Sequence, residues 1–152
     1  MTTALRLLAL LAALGMLADS ASAARRTVIQ DLEGVSVTGK DYAPLSAAQM
    51  KTVISEAATS LGWKIIESTD EKLRLELTGG KYSVTIDLPY DEKGYGLRYV
   101  ESRGLLYNNN GKWRGIHSSY KRWVDNLVRA IGQSALGELP PPAAKIAEEK
   151  LD

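Results

Sequence analysis

Residues 72–88 alternate apolar and polar side chains on both sides of a glycine turn, and this stretch limits the fold more than any other. In KLRLEL, Leu73, Leu75 and Leu77 share one face, with Arg74 and Glu76 on the other. In KYSVTIDL, Tyr82, Val84, Ile86 and Leu88 repeat the pattern against Ser83, Thr85 and Asp87. A period of two is the period of a strand. Thr78-Gly79-Gly80-Lys81 joins the runs, since glycine accepts the positive φ angles of a two-residue hairpin. Pro89 has no amide to give to a ladder and is expected to stop the second strand. The chain therefore holds an antiparallel sheet with one apolar face, which something must cover.

Two amphipathic helices are the available cover. Ser46 and Gln49 form a capping box, Leu45 and Met50 a hydrophobic staple, and Met50, Val53, Ile54, Ala57, Ala58 and Leu61 recur at helical spacing. Gly62 closes that helix, with Trp63 packing back on its last turn. A second helix begins near Ser118 or Ser119, with Tyr120, Trp123, Val124, Leu127, Val128 and Ile131 on one face. Residues 27–37 read as one strand, bulged at Gly34, while WKIIES and YGLRYVES supply two more strands. The expected architecture is α+β. It is a two-layer sandwich with an antiparallel sheet of about 4–5 strands and both helices on one face, in the order β-α-β-β-β-β-α.

The ends read differently. Arg6 precedes an apolar run of about 12 residues, Leu7 to Ala18, too short to cross about 30 Å of hydrocarbon as a helix. Ala21-Ser22-Ala23 then offers a cleavage site. Residues 1–23 are expected to be a signal peptide, with cleavage after Ala23 and the mature chain in the periplasm or outside the cell. Residues 24–136 form a single α+β domain, and 137–152, with Pro140, Pro141 and Pro142, a mobile tail.

The chain has no Cys and one His, which excludes thiol nucleophiles, disulfides, thiolate metal sites and multi-histidine metal sites. No cofactor and no metal is expected. A formal charge of +1 argues against nucleic acid as a partner. That balance hides an asymmetry, because residues 93–129 carry eight basic and two acidic side chains and six of the ten aromatics. Arginine pairs bidentately with phosphate or carboxylate, and aromatic faces stack on sugars or cations. Arg98, Arg103, Trp113, Arg114, His117, Lys121 and Arg122 are thus candidates for binding an anionic envelope polymer or an envelope protein, and peripheral membrane contact stays open. The competing reading makes Tyr95, Tyr99, Tyr120 and Trp123 core and the cations a solvated face.

Catalytic signals are weak. No G-x-S-x-G elbow is present. His117 alone has an ordinary pKa near neutrality, so a small hydrolase or lyase using it as general acid or base is the alternative to a binding module. Its neighbours Ser118 and Ser119 do not make a nucleophile–base pair, and Asp125 lies two helical turns on.

The segment YGLRYVESRGLLYNNNGKWRGIHSSYKRWVDNLVRAI resembles a family of small bacterial exported proteins and lipoproteins. They share a Y-x-I-x-Y-x-x-S strand, an L-x-Y element and an I-H-x-x-Y-x-x-W-V-x-x-L helix. Tyr95, Leu97, Tyr99, Ser102, Tyr107, Ile116, His117, Tyr120, Trp123, Val124 and Leu127 occupy those positions. The resemblance spans roughly residues 45–131 and implies an α+β domain in the cell envelope, with no activity to transfer. Some relatives carry a lipid-anchored N-terminal Cys, which this chain lacks.

Overall fold

A computed structural model describes residues 25–139. The elements are β1 (Arg26–Val28), β2 (Leu32–Val35), a 3-10 turn (Lys40–Tyr42), α1 (Ala47–Ser60), β3 (Lys64–Ser68), β4 (Lys72–Gly79), β5 (Tyr82–Asp91), β6 (Gly94–Arg103), β7 (Asn108–Asn109), β8 (Arg114–His117) and α2 (Ser119–Leu136). The fold is α+β, with two helices and two antiparallel sheets. One sheet has five strands in the order β2-β6-β5-β4-β3, and the other has three in the order β1-β8-β7. The signal-peptide reading of residues 1–23 lies outside the described residues, as does the tail beyond Leu139. Gly137 closes α2 in the left-handed region, and Leu139 packs against the core. Among the described residues, no helix is long and apolar enough to cross a membrane.

The alternation of residues 72–88 becomes the centre of the larger sheet. β4 and β5 pair Leu73 with Leu88, Leu75 with Ile86 and Leu77 with Val84, and all six side chains are buried. Met50, Ile54 and Ala57 of α1, with Trp123, Leu127 and Ile131 of α2, complete the same apolar cluster. Burying an aliphatic side chain contributes about 1.5–3 kcal/mol, so this face dominates the stability of the fold. α1 starts on its capping box: Gln49 N–H donates to Ser46 Oγ at 3.2 Å and Ser46 N–H to Gln49 Oε1 at 2.9 Å. It ends at Gly62, φ 81°, where the Gly62 and Trp63 amides donate to the Thr59 and Ala58 carbonyls. The two helices are tied by Ser134 Oγ donating to Glu56 Oε2 at 2.9 Å.

Four expectations change. Residues 27–37 are two strands in different sheets, because the chain turns at Asp31. That carboxylate accepts from Tyr99 N–H at 3.0 Å and from Arg114 Nη2 at 2.7 Å. The bulge expected at Gly34 is present, within β2. The sheet is accordingly not single, since β1, β7 and β8 form a second one. The hairpin loop is Gly80-Lys81, one residue later than Gly79-Gly80, since Gly79 pairs with Tyr82 and Gly80 takes the positive φ. Finally, β5 continues through Pro89 to Asp91. The proline is accommodated opposite Gly96, where a Cβ would lie 3.2 Å from the Pro89 ring and 3.0 Å from the Leu32 carbonyl oxygen.

Candidate functional site

The seven candidate residues do not form one surface. Arg98, on the outer face of β6, is held bidentately by Glu33 at 2.9 and 3.1 Å. Arg114 reaches Asp31, and Lys121 pairs with Asp125 along α2 at 2.6 Å. Arg103 lies at the far end of β6, beside a hollow shared with Glu76, Ser83 and Glu101. The basic segment is thus partly neutralised by acids some 65 to 83 positions away in the chain, a pairing that local charge counting does not reveal. Tyr95, Tyr120 and Trp123 are buried, as the competing reading held. Tyr99 stacks on Tyr107 at 4.9 Å and meets Tyr120 edge-on at 5.8 Å.

Three candidates do converge, on the outer face of the three-stranded sheet. Strand alternation sends Ile116 of β8 into the core and leaves Gly115 and His117 on the opposite face. The Trp113 indole covers Gly115 so closely that a Cβ there would fall inside the ring. Across the β1–β8 ladder, Val28 stands opposite Gly115 and Arg26 opposite His117. Val28 is 53% exposed and Trp113 39%. Ser118 N–H donates to the Arg25 carbonyl at 2.8 Å, which fixes Arg25 beside the start of α2.

His117 joins this face to the helix. Ser118 supplies no side-chain cap to α2; instead, Ser119 N–H donates to His117 Nδ1 at 3.2 Å. Ser119 Oγ also lies 3.1 Å from Nδ1 and accepts from Arg122 Nη2 at 3.3 Å. Burial, then the positive charges of Arg25 and Arg122, hold the imidazole below its ordinary pKa of 6.5. Arg25, Arg26 and Arg122 therefore gather around His117, on the face that also carries Trp113 and Val28. Neither Arg25 nor Arg26 makes an ion pair among the described residues. Sequence reasoning missed both arginines because they lie about ninety positions from His117; an Arg-Arg pair at the head of the expected mature chain was the available signal.

The chemistry on offer is recognition of negative charge. Asp125, the one carboxylate near His117 in the helix sequence, is engaged by Lys121, and Nδ1 is occupied by the cap. Among the described residues, no group of three or more His, Cys, Asp or Glu side chains is placed to hold a metal ion. No family model matches the chain, and no curated protein or solved structure shows significant similarity to it.

Proposed function

We propose that the chain is an exported, non-enzymatic binding or assembly module that takes an anionic cell-envelope partner, polymer or protein, on the outer face of β1 and β8. One observation carries this reading: cations from the start of β1 and the first turn of α2 converge around His117, on the face that the exposed Trp113 covers. Two arginines can hold phosphate or carboxylate bidentately, and Trp113 offers a flat surface to the ligand's apolar or sugar portion. The resemblance to exported proteins and lipoproteins agrees with a partner in the envelope. A solvent-exposed electrostatic site is screened over about 8 Å at physiological ionic strength, so binding weakens with salt.

Retention of the mature chain on immobilised polyphosphate and on isolated envelope material tests the proposal. Replacing Arg25 and Arg26 together by Glu should weaken retention by about tenfold or more, since each charged hydrogen bond contributes about 1.5–3 kcal/mol. Arg98→Gln, on the other sheet and already paired with Glu33, should leave retention unchanged. Undiminished retention of the double variant, with unaltered melting, would remove the site.

A further inference from the structure

β3 is an edge of the five-stranded sheet among the described residues, pairing on one side with β4. Such a strand presents a row of unpaired backbone donors and acceptors, which proteins usually protect with charge or cover. Here it carries Ile65, 39% exposed, and Ile66, 51% exposed. The sequence around them is Lys64-Ile65-Ile66-Glu67, a charge followed by two isoleucines and the opposite charge.

The bulge in β3 gives that sequence its geometry. In a regular strand, residues three apart point to opposite faces. In β3 the register shifts between Ile65 and Glu67, so that Lys64 pairs with Glu76 and Glu67 with Arg74. Glu76 and Arg74 share the outer face of β4, and Lys64 and Glu67 therefore share the outer face of β3. Two copies of the strand laid antiparallel, with a two-fold axis between Ile65 and Ile66, set Lys64 against Glu67 of the second copy and Ile65 against its Ile66. The axis repeats both contacts. Each strand contributes two residues between the charged pairs, so the extra residue of one bulge is matched by that of the other. Lys64 is exposed and has no ion pair among the described residues, whereas Glu67 already lies near Lys72 and Arg74.

We infer that the β3 edge pairs with a second copy of this chain, joining two five-stranded sheets into one continuous sheet through Lys64–Glu67 and Ile65–Ile66 contacts. This is an isologous contact, closed by its own two-fold symmetry. The strand is short and the interface small, so the association is concentration-dependent.

Sedimentation equilibrium of the wild-type chain, followed up to about 1 mM, the range of weak association, reads the dimer directly. Lys64→Glu sets carboxylate against carboxylate at both ends of the paired strands, and Glu67→Lys sets ammonium against ammonium. Each variant alone should be monomeric. Mixed together they should form a heterodimer, because each pair of facing positions then carries opposite charges. The carboxylate introduced at position 64 of one variant meets the ammonium introduced at position 67 of the other, and the unaltered Glu67 of the first meets the unaltered Lys64 of the second. Melting curves check that each variant folds, and Ile66→Lys, which leaves both charges in place, should also abolish the dimer. A wild-type monomer throughout the range overturns the inference, as do variants that dimerise like wild type or a mixture of folded variants that stays monomeric.

Discussion

His117 shows how one side chain can serve the fold and a surface together. Its Nδ1 closes the first turn of α2, and its ring stands among Arg25, Arg26 and Arg122. Because the folded state holds its pKa below 6.5, the unfolded chain takes up the proton first as pH falls. The stability associated with a neutral His117 is therefore complete above pH 6.5 and is lost as pH drops toward the lowered folded value. Urea unfolding measured across that window should show stability decreasing toward acid. His117→Gln, which retains an acceptor and cannot titrate, should flatten the slope. A bound anion opposes the same repulsion, so retention on polyphosphate should strengthen over the pH range in which wild-type stability falls. The histidine was evident from the sequence, but the arginines that depress its pKa were not all local to it.

At the scale of elements, the parts set by neighbouring residues were legible and those set by distant ones were not. α1 could be read from end to end, because its capping box, apolar stripe and closing glycine all lie within residues 45–63. The division of residues 27–37 into two strands could not. It depends on Asp31 meeting Tyr99 and Arg114, both more than sixty positions away. Pro89 misled for a related reason: the local rule against proline in strands was overridden by the bare Gly96 across the ladder. α2 offers a test of local propensity inside tertiary structure. Gly132 lies within the helix, and a Cβ built on it meets nothing within 4 Å. Gly132→Ala should therefore stabilise the protein by about 0.5–1 kcal/mol through reduced backbone freedom in the unfolded chain. Gly137→Ala should do the reverse, costing about 1–2 kcal/mol, since φ is 70° at that helix end. Thermal melts of the two variants should move in opposite directions.

For the whole molecule, the acids at positions 31 and 33 tie the two sheets together and decide which cations are neutralised. Asp31 binds the backbone of β6 with one carboxylate oxygen and Arg114 of β8 with the other. Asp31→Ala should cost about 1–2 kcal/mol in chemical unfolding, the discounted value of two charged hydrogen bonds at a partly exposed carboxylate. Hydrogen exchange should rise most at the Tyr99 amide. From sequence alone, the period of two in residues 72–88 and the two helical stripes determined an antiparallel sheet under two helices, because local periodicity dictates which face must be buried. The basic character of residues 93–129 was equally plain. Only the tertiary structure decided that Arg98 and Arg114 are neutralised by Glu33 and Asp31 while Arg25 and Arg26 come to stand beside His117. Charge pairing acts through space, and the spacing of residues along a chain does not record which of them will meet.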